Sequence, residues 1–163
     1  MSEKILARLK ERFGDAVNET HSYRGDDTAL VARERIVEVL QFLRDDPELA
    51  LNMPVDMTAI DWLARGRVPR FQVVYHLYSV SQRHRVRIKC DVPEEDPRVH
   101  SSVSIYPGFC WFEREAWDMY GIKFEGHPDP RRLFMYESFV GHPLRKDYPK
   151  EKRQPLVRRE GVG

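Results

Sequence analysis

Two neighbouring segments in which apolar and polar side chains alternate constrain the fold of this chain more than any other feature. The apolar positions are Phe71, Val73, Tyr75 and Leu77 in the first segment, and Val86, Ile88, Cys90 and Val92 in the second. Period-two alternation is typical of a strand with one buried and one solvated face. Because the loop 79–84 between the segments is short, the sequence predicts that they form an antiparallel hairpin.

Other apolar residues recur at helical spacing or in short β-rich runs, and they complete the predicted fold. The predicted helices cover residues 5–13, 36–43 and 108–120, and further strands cover residues 16–23, 28–31 and 55–63. A turn is predicted at residues 25–27, and Gly121 stands where the last helix needs a left-handed residue to end. We predict an α/β domain of the α+β type, with helices packed against a mainly antiparallel sheet.

The last third of the chain differs from the rest in composition. After Gly121 the periodicity stops and proline and glycine become frequent, although apolar residues such as Phe124, Phe134 and Leu144 continue. Basic residues outnumber acidic ones here, whereas the net charge of all 163 residues is only +1. Apolar residues without periodicity are typical of a chain that buries them on another protein. We predict a compact domain over residues 1–121 and an extended, partner-binding C-terminal arm over residues 122–163.

The sequence does not indicate several common kinds of site. Cys90 and Cys110 belong to no Cys-x-x-Cys pair of the kind that begins a zinc or iron–sulfur site. It contains no Gly-rich phosphate loop and no serine-nucleophile motif. Residues 1–14 carry charges throughout and no apolar run approaches about 20 residues, so neither a signal peptide nor a membrane span is expected. We expect any membrane association to depend on partners.

One charge of the predicted helix 108–120 is unfavourably placed. Asp118 lies near the end of the helix, where the helix dipole disfavours a carboxylate. Arg114 precedes it by four residues, in the weaker order for a helical ion pair. We therefore expect Arg131 or Arg132 to fold back from the arm and pair with Asp118.

A three-residue motif occurs twice in the predicted arm, as Gly126-His127-Pro128 and as Gly141-His142-Pro143. Glycine permits an unusual backbone angle, and proline holds the preceding histidine extended. Each motif is thus a stiff bend that presents an imidazole and is followed by two cations, Arg131 and Arg132 in the first case and Arg145 and Lys146 in the second. Arginine suits an interface because its planar guanidinium binds carboxylates and carbonyl groups.

These features together resemble the signature region of a known family. The segments EREAWDMYGIKFEGHPDPRRLF and GHPLRKDYP are similar to those of the C subunit of respiratory complex I, also called the 30-kDa subunit, as are the strands RFQVVYHLYSV and RVRIKCDV. The resemblance spans roughly Ile36 to Pro149. Pro130 and Phe134 depart from the leucine and the smaller aliphatic residue usual in the family. The chain is similar to the stand-alone form of the subunit, not to the form fused to the quinone-site subunit.

The resemblance implies a non-catalytic subunit of the proton-pumping NADH:quinone oxidoreductase, with no catalytic residue, cofactor or metal of its own. FMN and iron–sulfur clusters are expected in partner subunits. The expected partners are the large quinone-site subunit (the D type) and neighbouring iron–sulfur subunits. The expected location is peripheral, at the cytoplasmic face of the bacterial inner membrane, or on the matrix side in mitochondria. The expected interface or signature residues are Glu113, Arg114, Glu115, Trp117, Asp118, Gly126, His127, Pro128, Arg131, Arg132, Gly141, His142, Pro143, Leu144, Arg145, Lys146 and Asp147.

Individual residues of this set have more than one interpretation. His127 and His142 could be metal ligands or acid–base groups, but without a metal-binding spacing we favour interface hydrogen bonds. Glu113 and Glu115 could be an acid–base pair, but alternate helix positions point apart, so we favour structural ion pairs. Alanine at both 145 and 146 is expected to weaken assembly and to leave the melting temperature of the domain nearly unchanged.

Other functions are also compatible with the sequence. The chain could be the equivalent subunit of a related membrane-bound hydrogenase or of another donor:quinone dehydrogenase. A nucleic-acid-binding module is a different class, prompted by the basic stripe Arg85, Arg87 and Lys89 and by the basic arm. The same stripe is also typical of a solvated sheet face. An independent small hydrolase is a third class, and it would require turnover by the purified chain.

Overall fold

A five-stranded sheet forms the centre of the fold in the computed structural model, which describes residues 3–154. In chain order, the strands of this sheet are β1 (Val17–Tyr23), β2 (Asp26–Val31), β3 (Met53–Asp61), β4 (Phe71–Ser79) and β5 (His84–Val92). Their order in the sheet is β1-β2-β5-β4-β3, and only the β2–β5 pair is parallel. The β4–β5 register runs from Phe71 opposite Val92 to Ser79 opposite His84, which confirms the predicted hairpin.

Three helices pack against the apolar face of this sheet. They are α1 (Glu3–Phe13), α2 (Ile36–Asp45) and α3 (Phe109–Tyr120), and short 3-10 turns lie at Arg33–Arg35 and Leu63–Arg65. Their apolar faces join the inward residues of β4 and β5 in one buried cluster. Phe109 lies within it, with its ring centroid 5.7 Å from that of Tyr75 and 5.5 Å from that of Tyr106. This arrangement confirms the predicted α+β class.

The turn between β1 and β2 is shorter than predicted. Arg24 and Gly25 have positive φ angles of 53° and 85°, as in a tight two-residue hairpin turn. Because the turn needs only these two residues, Asp26 and Asp27 belong to β2 and not to the turn. Prediction also placed β3 two residues too far along the chain, at 55–63, since its bulge between Pro54 and Asp56 disturbs the alternation.

A second, two-stranded sheet was not predicted. Strand β6 (Arg98–His100) pairs in parallel with β7 (Lys123–Glu125). Because β7 lies beyond residue 121, the compact structure extends past the predicted boundary. The C-terminal segment, defined here as residues 126–154, contains no helix or strand. The remainder of the predicted arm, 155–163, lies outside the described residues.

None of the helices among residues 3–154 combines the length and the apolar composition needed to cross a bilayer.

Candidate partner-binding site

Asp118 binds the C-terminal segment to α3. Its carboxylate is completely buried, and Oδ1 accepts a hydrogen bond of 2.6 Å from Nη1 of Arg132. Oδ2 accepts the backbone N–H groups of Leu133, Phe134 and Met135, at 3.1, 2.8 and 2.9 Å. Burial alone would raise the pKa of Asp118, but these hydrogen bonds hold the pKa below its ordinary value. The predicted pairing of Asp118 with an arginine of the arm is confirmed. We call these five residues the Asp118 cluster.

Arg132 connects further parts of the C-terminal segment. Its Nη2 donates to the carbonyl oxygens of Phe139 at 3.0 Å and Gly141 at 3.3 Å, and its guanidinium lies 5.4 Å from the Trp117 ring centroid. Arg131, the alternative, is exposed and pairs with Asp129. Arg132 thus links Asp118 to residues 139–141 of the segment.

Arg114 was considered from the sequence as an ion-pair partner of Asp118, but it binds other groups. It donates to the backbone carbonyls of Arg131 at 3.0 Å and Arg132 at 2.9 Å. It also pairs with Asp129, at 3.4 Å. Arg114 therefore binds the segment directly, and Asp118 takes its cation from the segment instead.

Both histidines of the repeated motif bind carbonyl groups of α3. Nε2 of His127 donates to the carbonyl of Cys110 at 3.0 Å, and Nδ1 of His142 donates to the carbonyl of Asp118 at 3.0 Å. Burial lowers the pKa of His142, which favours the neutral ring. The glycines that open the motifs have positive φ, as predicted, at 83° and 102°. Among residues 3–154 no group of three His, Cys, Asp or Glu side chains could hold a metal ion.

A second group of charges binds the segment to the main sheet, and we call it the Arg70 cluster. Arg70 is 6% exposed and donates two hydrogen bonds to Asp61, at 3.0 and 2.8 Å, and two to Asp147, at 2.7 and 3.0 Å. It also pairs with the half-exposed carboxylate of Glu94. Asp61 additionally accepts the backbone N–H of Lys146 at 2.8 Å. Burial raises the pKa of Asp61, but Arg70 and the backbone donors lower it to about 2.

The Arg70 cluster includes Asp147 and Lys146 from the predicted set, but prediction missed Asp61, Arg70 and Glu94. Asp147 and Arg70 are separated by 77 positions in the sequence. No local pattern indicates such a contact. The one available signal was Arg70 itself, a charge at the start of a buried strand, since buried charges in proteins are paired.

Arg145, like Asp147, binds the segment to the domain. Its Nε donates to the carbonyl of Tyr120 at 2.6 Å, and its guanidinium lies 5.1 Å from the centroid of the Phe71 ring. Its guanidinium also approaches Gly121, where an added Cβ would lie 2.6 Å from Nη2 of Arg145. The side chain of Lys146, in contrast, is exposed. The expectation that neither residue affects domain stability therefore conflicts with the contacts of Arg145.

The two glutamates of α3 differ in environment. Glu113 is completely buried and accepts hydrogen bonds of 2.7 Å from the Ser101 hydroxyl and from both the backbone N–H and the hydroxyl of Ser102. Burial raises the pKa of Glu113 despite these donors. The predicted ion pair is wrong for Glu113, which binds the loop before α3 instead. Glu115 is half-buried and forms no ion pair among residues 3–154.

The outward side of the segment is apolar at several positions. The side chains of Phe134, Val140 and Leu144 are 61%, 62% and 44% exposed, and Trp111 on α3 is 60% exposed. Phe134 and Pro130, the two departures from the usual residues, are both exposed, and the N–H of Phe134 still binds Asp118. The segment therefore has backbone groups that are bound by the domain and several large apolar side chains that are exposed to solvent.

Comparisons with known proteins give one consistent result. The family described as respiratory-chain NADH dehydrogenase, 30 Kd subunit, matches residues 29–154. The chain is 45% identical over 148 residues to the C subunit of the NADH-quinone oxidoreductase of Citrifermentans bemidjiense, covering 91% of this chain and 89% of that protein. It is 48% identical over 145 residues to the subunit of the same name from Roseiflexus castenholzii, covering 89% and 82%.

Two solved structures are similar to the fold. One is the trypsin-resistant fragment of Nqo5, with a TM-score of 0.68 and 30% identity, covering 77% of this chain and 98% of that fragment. The other belongs to an archaeal membrane-bound sulfane sulfur reductase, with a TM-score of 0.71, covering 91% of this chain and 86% of that one. At 23% identity, the second similarity concerns the fold alone.

Proposed function

This chain belongs to the 30-kDa subunit family of the respiratory-chain NADH dehydrogenase, and we propose that the outward face of its C-terminal segment is where other subunits of that complex cover it. As a member of this family, the chain is a component of the NADH:quinone oxidoreductase and reaches the membrane through the complex. We infer that it is a scaffold in the electron transfer from NADH to quinone that is coupled to proton translocation.

The observation that carries the proposal is the two-sided character of the segment. The carboxylates of Asp118 and Asp61 accept hydrogen bonds from its backbone, while the side chains of Phe134 and Val140 are more than half exposed. Large apolar side chains exposed together mark interaction sites more often than isolated ones do. A segment with fixed backbone and outward apolar residues has the properties of a preformed docking surface.

The finer assignments are part of the same proposal. We propose the large quinone-site subunit as the chief partner, with iron–sulfur subunits beside it, at the cytoplasmic face of a bacterial membrane or the matrix side in mitochondria. FMN and the iron–sulfur clusters would belong to those partners. The division into a compact domain and a partner-binding C-terminal part also belongs to the proposal, with the compact part extended to include β7.

A matched set of surface variants tests the proposal. Phe134→Glu combined with Val140→Glu places two charges on the outward face, and Val80→Glu is the control, because Val80 is 60% exposed but lies in the β4–β5 turn. The tagged full-length chain is expressed in a strain without its own copy. The other subunits that co-purify are quantified by mass spectrometry, together with NADH:quinone activity of the membranes. Central apolar residues of an interface contribute about 2 kcal/mol or more, so we expect the double variant to lose assembly.

The melting temperature of each purified variant separates assembly from folding. All three substituted side chains are exposed, so we expect the isolated variants to unfold near the wild-type temperature. Normal co-purification and activity with the double variant would contradict the proposal. An equal loss with Val80→Glu would mean that the effect is not specific to the segment.

A further inference from the structure

The face of the main sheet opposite α1, α2 and α3 contains a groove that the assembly role of the C-terminal segment leaves unexplained. The groove has a volume of 340 Å³ and crosses β2, β5, β4 and β3. The side chains that line it include Asp26, Met53, Val55, His76, Tyr78 and Arg87. Asp27 also borders the groove, but alternation along β2 places its side chain on the opposite face, with Ala29 and Val31.

One wall of the groove is apolar and exposed. Met53 and Val55 of β3 are 45% and 50% exposed. Val55 lies at the bulge between Pro54 and Asp56, where β3 departs from its regular register with β4. Bulges redirect a side chain, and here an aliphatic one faces solvent beside Met53. The wall offers a contact for an apolar side chain.

The opposite wall carries Arg85, which pairs with Asp26 at 3.9 Å, and Arg87, which has no such partner among the described residues; Lys89 lies just beyond the lining residues. Arg87 is half-buried, and the only hydrogen bond of its side chain within residues 3–154 is to the hydroxyl of Thr28, at 3.3 Å. Lys89, two residues further along the same face of β5, is also half-buried and forms no ion pair in the described part of the chain. The acids that influence Lys89, Glu19 and Asp91, do not reach ion-pair distance.

The pairing of other charges makes these two unusual. Arg70 and Arg132 each bind a buried carboxylate, and Arg67 pairs with Asp91 at 3.1 Å. Burial, followed by the repulsion of Arg87, lowers the pKa of Lys89. Half-buried cations that repel each other are stabilised when a carboxylate reaches them. The groove therefore places a cation that forms no ion pair within residues 3–154 next to an apolar wall.

We propose that this groove is a second docking surface, which binds an acidic segment of a neighbouring protein subunit. An apolar side chain of that segment would contact Met53 and Val55, and its carboxylate would pair with Arg87 and Lys89. The inference rests on the proposed function, because the occupant is a subunit of the same complex. Nucleic acid fits less well, since it requires several phosphate contacts, and beside the acidic Asp26 this face offers only Arg87 in the groove and Lys89 beyond it as cations without an ion pair among residues 3–154.

Binding to the remaining peripheral subunits tests the groove. The probe is the peripheral subcomplex purified from a strain that lacks this chain, titrated with the full-length chain. Arg87→Gln combined with Lys89→Gln should raise the Kd about tenfold and weaken its dependence on salt. The control is Lys10→Gln combined with Arg12→Gln on the exposed side of α1, which removes the same charge and should leave the Kd unchanged. Val55→Asp, at a half-exposed position, should also weaken binding and serves if the glutamine variant fails to fold.

The outcomes distinguish this inference from the proposed function. If the wild-type chain does not bind the subcomplex, both are overturned. If it binds and the two groove variants bind equally well, only the groove is overturned. Loss of duplex DNA binding in the glutamine variant, with unchanged binding to the subcomplex, would also overturn the proposal in favour of a nucleic-acid surface.

Discussion

Replacement of Asp118 by asparagine isolates the contribution of one buried carboxylate to the order of the C-terminal segment. Asparagine has the same shape as aspartate, so the change removes the charge with little change in volume. The Asp118 carboxylate is completely buried and accepts four hydrogen bonds, from Arg132 and from the N–H groups of residues 133–135. In the variant, the NH2 group of the new amide would face hydrogen-bond donors at one of the two oxygen positions.

The expected loss of stability follows from these contacts. Removal of one partner from a buried ion pair costs about 3–5 kcal/mol, because the other charge is left uncompensated. The amide oxygen of asparagine can still accept hydrogen bonds, so we expect a value near the lower end, about 3 kcal/mol. In a domain of this size, 1 kcal/mol changes the melting temperature by roughly 2–4 °C, so the expected decrease is roughly 6–12 °C.

Urea and thermal unfolding of the full-length chain, followed by circular dichroism, measure this loss. The matched control is Arg131→Ala, which removes a neighbouring arginine that is exposed and pairs only with Asp129 among the side chains of residues 3–154. We expect the control to unfold like the wild type. A decrease of less than about 0.5 kcal/mol with Asp118→Asn, the range of ordinary surface substitutions, would refute the reasoning.

Three further predictions concern the contacts beside this cluster. The pKa of Asp61 is lowered from 3.8 to about 2, which corresponds to a contribution of about 2 kcal/mol to the free energy of unfolding. This contribution is complete above pH 3.8 and is lost as the pH falls towards 2. The difference in unfolding free energy between wild type and Asp61→Asn should therefore narrow between pH 3.8 and pH 2. Gly121→Ala should cost about 2 kcal/mol in urea unfolding, because φ is 77° and the new Cβ would clash with Arg145. Arg145→Ala should lower the unfolding free energy by about 2 kcal/mol, whereas Lys146→Ala should not; equal effects would contradict the assigned contacts.

The parts of the fold that sequence predicted are those with local patterns. The β4–β5 hairpin follows from alternation and a short loop, and the end of α3 follows from Gly121, which indeed has a left-handed conformation. Strands β6 and β7 have three residues each, too few for alternation to be visible. The parallel pairing of β2 with β5 joins residues far apart in the chain, and no local pattern specifies it.

The same distinction holds for the candidate site. The pairing of Asp118 with Arg132 could be predicted, because an acid near the end of a helix needs a source of stabilisation other than the dipole. The Arg70 cluster could not, since Asp61 and Asp147 are ordinary acids until the fold brings them to Arg70. Prediction also treated the segment as an extended arm, because its composition shows no regular structure and gives no information about contacts with its own domain.

The hydrogen bonds that fix residues 133–146 to α3 and β3 have a consequence for the kinetics of association. Ordering a backbone residue costs about 1–2 kcal/mol in conformational entropy, and here that cost is met when the monomer folds. Encounter with a neighbour then involves two rigid bodies, so the on-rate is limited by diffusion and orientation and not by folding of a loose tail. Asp118→Asn, which weakens these hydrogen bonds, should accordingly lower the on-rate of complex formation.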